Sequence, residues 1–238
     1  MKSILIVENL NKTYQKFNLF NVSFSIKQGS IMGFIGRNGA GKTTTLKSLL
    51  NLVHADSGKI EFFDLNFLDN ESEIKQRIGF ASGGVNYYLT KTLKTIVNTT
   101  RLFYNNWDDS AYKKYMEAFN LDENKKLKEL SEGMKVKFNL VLALSHNSEL
   151  LILDEPTSGL DPVSRDELLT IFEDLAKQGI AILFSTHITS DLDKCADYIT
   201  YIKEGKIVAS CEKSEFIKTF GGGNLEEIML KIEKGVIK

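Results

Sequence analysis

The sequence predicts an α/β fold interrupted by a helical insertion, and three observations carry that prediction. A Gly-rich loop at 36–41 joins a short apolar run to a helical pattern. Strand and helix patterns alternate again from residue 150 onward. Between them lies a stretch, roughly 84–148, with no proline and almost no glycine, where helical periodicity dominates. In chain order, Val22, Phe24 and Ile26 alternate with Ser23, Ser25 and Lys27, the period of two expected of a half-buried strand. After a turn at Gly29-Ser30, the run 31–35 (IMGFI) is continuously apolar, as a central strand buried on both faces would be. Leu46, Leu49, Leu50 and Val53 recur at helical spacing, so a helix starts near Thr43, the one clear helix among the first 80 residues. In the middle stretch, helices are expected over 92–104, 109–120 and 131–146. Asp108 or Asp109 caps the second, and the third is apolar on nearly every side, as for a helix held between layers. The run 150–154 (LLILD) is a strand. Asp161 and Pro162 open a helix with Leu168, Ile171, Phe172 and Leu175 on its apolar face, and Gly179 ends it. Residues 180–186 form another central strand, 197–210 a hairpin turning at Glu204-Gly205, and 211–238 two short helices around Gly221-Gly222-Gly223. The expected division is a core of 1–83 and 149–220, a helical part of about 84–148, and a short tail, 221–238.

Composition excludes several functions. Thirty Lys and Arg against 31 Asp and Glu leave a net charge of −1, without the basic excess of a dedicated nucleic-acid binder, so no nucleic-acid partner is expected. No apolar run approaches the roughly 18 residues of a membrane span, and the N-terminus lacks the long apolar region of a signal peptide. A cytoplasmic chain is expected, reaching a membrane only through a partner. Cys195 and Cys211 have no metal-ligand spacing and read as two free thiols.

The strongest chemical signal is Gly36-Arg37-Asn38-Gly39-Ala40-Gly41-Lys42-Thr43, which fits G-x-x-x-x-G-K-[ST] between a strand and a helix. Glycines let backbone N–H groups close around phosphate oxygens, and a helix N-terminus adds unpaired donors and partial positive charge. Lys42 would reach the β- and γ-phosphates, and the Thr43 hydroxyl would bind Mg²⁺. The second signal is LLILDE (150–155), which delivers Asp154 and Glu155 to a strand's carboxyl end, the edge where open α/β sheets bind ligands. Asp154 suits Mg²⁺ coordination through water, and Glu155 suits activation of the attacking water. Alone, such an acidic pair would be an ordinary solvated strand end. Beside a phosphate loop it reads as catalytic.

Taken in order, these motifs make the chain resemble the ATP-binding subunits of ATP-binding-cassette (ABC) transporters over about residues 3–220. The stretch 36–44, ending in Thr44, matches that family's phosphate loop. Its usual LSGGQ signature corresponds to Leu130-Ser131-Glu132-Gly133-Met134, its D-loop to Ser158-Gly159-Leu160-Asp161, and its switch histidine to His187. The resemblance implies that Tyr14 stacks on adenine, although Phe17 and Phe20 lie close by. It also implies that Ser131, Glu132, Gly133 and Met134 grip the γ-phosphate of ATP bound to an opposite subunit, and that His187 contacts the γ-phosphate. Read locally, a plain helix N-cap is the more common role for Ser131 and an ordinary strand-end histidine the better reading of a lone His187; only the ordered company of motifs overturns both. The family's glutamine that contacts Mg²⁺ falls near Gly83, which has no side chain to offer. LSEGM followed by Lys is similar to the ABC-2 exporter branch, with YtrB-like, bacitracin-type and phenol-soluble-modulin exporters nearest.

The resemblance therefore implies a phosphate-loop ATPase core of the ABC type, with an antiparallel β edge and a helical insertion. Its cofactors would be ATP and Mg²⁺. Its partners would be membrane permease subunits and a second ATP-binding subunit, with the chain peripheral at the inner face of the membrane. The rival readings are a soluble non-transport cassette ATPase and a nucleotide-binding module that does not hydrolyse. An aromatic cluster after Gly83-Gly84, at Tyr87, Tyr88 and Leu89, reads as the permease contact or as packing of the insertion on the core.

Overall fold

The computed structural model describes residues 2–82 and 88–236. The chain opens with β1 (Ser3–Thr13) and β2 (Asn18–Lys27), paired antiparallel, in which Val22, Phe24 and Ile26 are buried as their alternation requires. β3 (Ile31–Ile35) is buried at all five positions and leads through the Gly-rich loop into α1 (Lys42–Leu49). β4 (Ser57–Phe62) and β5 (Leu65–Asn66) complete an antiparallel sheet of order β2-β1-β4-β5. α2 (Glu71–Gln76) then precedes β6 (Ile78–Ser82). This helix is an addition to the one expected among the first 80 residues. Six residues with a single buried position, Ile74, are too short to display a helical period.

α3 (Leu93–Thr100), α4 (Asp109–Ala118) and α5 (Glu132–Leu144) fill the proline-free stretch. Asp108 is the α4 cap, accepting from the Ser110 and Ala111 N–H groups. These helices share a core of their own around Leu93, Val97, Leu127, Phe138 and Val141. α5 belongs to two cores at once. Phe138, Val141 and Leu142 face the helical cluster, whereas Leu140, Ala143 and Leu144 pack on the sheet. Its expected all-round burial holds for this second half only, since Ser131 and Glu132 at its start are exposed.

β7 (Leu150–Asp154), α6 (Pro162–Lys177), β8 (Ala181–Thr186), α7 (Thr189–Cys195), β9 (Tyr198–Lys203) and β10 (Lys206–Glu212) follow. The second sheet has the order β10-β9-β3-β8-β7-β6, parallel except at the β9–β10 hairpin, where Glu204 and Gly205 both take positive φ. Alternate residues of its buried strands serve opposite cores. Met32, Phe34, Leu150, Ile152 and Leu183 meet the antiparallel sheet side, while Ile31, Ile35, Leu151, Leu153 and Phe184 meet the helices. Two-sided burial explains why these strands read as unbroken apolar runs. α8 (Lys213–Thr219) and α9 (Leu225–Glu233) end the described chain. Residues beyond 220 are not an appendage: Leu225, Ile228 and Ile232 are buried in the same core as α6 and α7. The triple glycine turns the chain so that the apolar face of α9 docks. Both cysteines are free thiols, Cys195 buried and Cys211 partly so.

Register fixes where the chemistry sits. Ile35 pairs with Thr186, and Asp154 with Ser185, so β3, β7 and β8 end level with one another. The Gly-rich loop, Glu155 and His187 therefore leave the sheet along one carboxyl edge.

Candidate active site

The loop is shaped by close approach. A Cβ on Gly36 would stand 2.4 Å from the Ile202 carbonyl oxygen, and Gly41, at φ +114°, leaves no room against Leu19 and Phe17. Ala40 is buried and its N–H donates to the Arg37 carbonyl, closing the turn. Lys42 then points back under the loop: its Nζ donates to the Gly36 carbonyl at 2.7 Å and to the Arg37 carbonyl at 3.4 Å. The same ammonium pairs with Glu155 Oε1 at 3.1 Å. α1 has no side-chain cap and no acidic residue in its first turn, so its N-terminal N–H groups and partial positive charge face the loop unneutralised.

Arg37, Asn38, Gly39, Gly41, Lys42, Thr43 and Thr44 line a cavity of about 620 Å³, with Glu155, Ser158 and His187 across from them. Glu155 sits at φ 51°, a left-handed conformation that turns its side chain off the strand direction. His187 Nδ1 lies 2.8 Å from Glu155 Oε2, so the carboxylate is held from both sides, by Lys42 and by His187. Beneath it, the fully buried Ser185 donates to Asp154 Oδ1 at 2.6 Å and accepts from the Glu155 N–H at 2.9 Å. One hydroxyl thus orients both acidic residues. Sequence reasoning passed over Ser185. Its signal was a polar residue following the apolar run 181–184 within β8, one position before Thr186, which pairs with Ile35, the last residue before the phosphate loop.

The remaining expected residues lie elsewhere. Tyr14 is half-exposed, with Lys12 Nζ 5.5 Å from its ring centroid, and is not among the cavity's lining residues. The aromatic that lines the cavity is Phe17, beside Lys16, because the β1–β2 turn lays residue 17 against Gly41. Ser131 caps α5, accepting from the Met134 N–H at 3.2 Å, and Glu132 pairs with Lys135 at 2.6 Å. Gly133 stands against Ser164, and Met134 packs partly into the helical core. None of Ser131, Glu132, Gly133 or Met134 borders the phosphate-loop cavity. Asp161 accepts from the Val163 and Ser164 N–H groups and caps α6. Hydrogen bonds from Ser164 hold its carboxyl below the usual range. The expectations for Gly83 and Tyr87 fall outside the described residues.

A strand–loop–helix turn of the phosphate-binding type facing a paired glutamate and histidine is the arrangement of a nucleoside-triphosphatase cassette. The family model described as ABC transporter matches residues 19–158, and the chain belongs to that family as an ATP-binding subunit. It is an ATPase subunit that powers a transporter. The bacitracin transport ATP-binding protein BcrA of Bacillus licheniformis is 38% identical over 212 residues, covering 87% of this chain and 69% of that protein. The lantibiotic transport ATP-binding protein SrtF of Streptococcus pyogenes is 34% identical over 233 residues, covering 94% and 95%. Among solved structures, an ATP-binding subunit of an ABC transporter superposes with a TM-score of 0.87 at 26% identity, covering 97% of this chain and 99% of that one. Among the described residues no helix is long and apolar enough to cross a membrane.

Proposed function

We propose that this subunit hydrolyses ATP with Glu155 as the base for the attacking water and His187 as the group that orients Glu155 and meets the γ-phosphate. The observation that supports this most is the clasp of Glu155 between Lys42 and His187, at 3.1 and 2.8 Å, on aligned strand ends. Lys42 exchanges Glu155 for the β- and γ-phosphates when ATP enters, which frees the carboxylate to take a proton from water. Asn38, Gly39, Gly41 and Thr44 supply the backbone N–H groups of the phosphate cradle, and Ala40, whose N–H closes the turn onto the Arg37 carbonyl, holds the loop in shape.

The donor set fits Mg²⁺. Mg²⁺ held mainly by substrate phosphates and water needs only one or two oxygen donors from the protein. Thr43, on the cavity wall, would hold the ion directly, and Asp154, fixed by Ser185, would do so through water. When bound, Mg²⁺ neutralises charge developing between the phosphates.

The exposed Ser131 end of α5 lies outside the cavity of its own chain, which supports a head-to-tail dimer in which Ser131 and Gly133 close the cavity of the other subunit, with Asp161 at the seam. The helical part, about 84–148, would carry the permease contact. Tyr88 is 80% exposed rather than packed on the core, Leu102 and Phe103 are exposed too, and Gln76 ties the Phe103 turn to α2 through the Phe103 carbonyl. The similarity to the bacitracin transport protein BcrA and the lantibiotic transport protein SrtF supports a transport role, which we read as export, with the subunit on the cytoplasmic face and selection left to the permease. Glu155→Gln tests the mechanism and the dimer together. It should bind ATP, lose at least about 100-fold in turnover, and shift from monomer to dimer in light scattering with ATP but not ADP. Wild-type turnover in Glu155→Gln would refute the base assignment. Cysteines placed at Tyr88 and Phe103 should cross-link to a co-expressed permease, and labelling confined to other surfaces would refute the contact.

A further inference from the structure

A second cavity, of about 710 Å³, adjoins the first, and Arg37 and His187 line both. Its far wall is α9, through Glu226, Met229, Leu230 and Glu233. Glu233, the last residue of that helix, is held from two directions. The Tyr201 hydroxyl, on β9, donates to Glu233 Oε1, and Arg37 Nη1 lies 3.7 Å from Glu233 Oε2. The two side chains differ in freedom: Glu233 is 18% exposed and Arg37 74%. Lys203 Nζ donates to the Ile232 carbonyl at 3.0 Å, capping the C-terminal end of α9, while Ile228 and Ile232 anchor its apolar face in the core. The carboxylate is thus fixed by the fold, and the guanidinium, carried on the phosphate loop itself, is the movable member of the pair.

We propose that Glu233 is a positioning residue for nucleotide binding: it draws the Arg37 guanidinium to the α9 side of the loop and competes with polyphosphate for it. The inference rests on the reading of the Gly36–Thr43 loop as the phosphate site. Arginine presents paired donors that match a carboxylate or a phosphate equally well, so Arg37 has two eligible partners on opposite sides of one loop. The pair is solvent-exposed on the Arg37 side, which keeps the effect small: about two- to fivefold in nucleotide affinity. Through this pair, docking of α9 sets the charge available at the mouth of the phosphate cavity.

The test is a double-mutant cycle on the full chain, read by equilibrium titration with ATP, ADP and adenosine. Glu233→Gln keeps an acceptor for Tyr201 but loses the charge. It should lower the Kd for ATP and ADP about two- to fivefold and leave adenosine unchanged. In an Arg37→Ala background the same substitution should leave the Kd for ATP nearly constant. Glu233→Ala, as a second variant, should reproduce the Arg37-dependent tightening even where α9 is loosened, with melting curves reporting that loosening separately. An equal shift with and without Arg37, a shift that extends to adenosine, or no shift in Kd would overturn the proposal. Lys42→Ala separates it from the reading beneath it. Loss of ATP binding in Lys42→Ala with no effect of Glu233→Gln removes the Glu233 role alone, whereas unchanged ATP binding in Lys42→Ala removes the phosphate site itself.

Discussion

The two regions that the family would bring to one ATP are built differently in this chain. At the phosphate-loop end, Lys42 and Glu155 are each held by more than one partner. Lys42 is buried with two carbonyls and a carboxylate on its ammonium. Asp154 and Glu155 share Ser185, and the three strands beneath are register-locked. At the Ser131 end, a single 3.2 Å cap bond orders an exposed helix start, and its charged neighbours Glu132 and Lys135 satisfy each other. The first region is preorganised within one chain, as electrostatic stabilisation of a developing charge requires. The second is complete only as a helix cap. That asymmetry fits the proposed half-sites: one surface that would bind alone, and one that would act only when another surface arrives.

The largest expected effect breaks the first region. Lys42→Ala removes the point charge that the proposed site offers to phosphates and leaves Glu155 without its buried partner. ATPase activity should fall by at least about 1,000-fold, and ATP affinity should drop steeply, because a charge-assisted contact in a sheltered site is lost. Retained activity in a coupled phosphate-release assay would show that the preorganised region is not the nucleotide site.

A smaller, differently shaped effect is expected at the second region. Ser131→Ala should cost about 1 kcal/mol in stability, the ordinary value of a helix cap. ATP affinity of the isolated chain should stay unchanged, since Ser131 is not on its own cavity. Turnover should nonetheless fall by about 10- to 100-fold, because the proposed closed dimer would lose an anion donor. A stability loss with turnover intact would reduce Ser131 to its cap and erase the comparison. Loss of affinity in the monomer would show that Ser131 reaches its own nucleotide.

The contrast also explains what was legible in the sequence. β3, β7 and β8 could be read because burial on both faces leaves unbroken apolar runs, and the loop between β3 and α1 because phosphate binding demands glycines at fixed positions. Asp161-Pro162 and Glu204-Gly205 could be read because caps and tight turns are local chemistry. What could not be read depends on packing between distant segments. Phe17 rather than Tyr14 lines the cavity because of where the β1–β2 turn is carried, which no local spacing encodes. Ser185 serves Asp154 and Glu155 across a strand pairing 30 residues apart. The docking of α9 follows from its apolar face, Leu225, Ile228 and Ile232, but its destination beside Arg37 does not.

The smallest effect sharpens the comparison along α5 itself, whose two ends lie in opposite settings. Past its C-terminus, His146 is buried, stacked on Tyr104 with ring centroids 3.8 Å apart, and its Nδ1 lies 3.1 Å from the Gln76 carbonyl. Burial pushes the imidazole down to about 4, so it stays neutral in the folded protein well below its ordinary value of 6.5. The sign follows from proton uptake. Between 6.5 and 4 the unfolded chain binds a proton that the folded chain refuses, so stability is full above 6.5 and declines as pH falls through that window. Going from pH 7 to pH 5 should remove about 2 kcal/mol through this group, or roughly 4–8 °C in melting temperature for a chain of this size. Other groups titrate as well, so the measurement is a difference. His146→Phe keeps the ring stack and cannot titrate. It should be less stable than the wild type at pH 7 by about 1 kcal/mol, for the lost bond to Gln76, and should converge on or pass the wild type by pH 5. Parallel pH–stability curves for the two proteins would mean that the buried end of α5 is no more sensitive to acid than its exposed one.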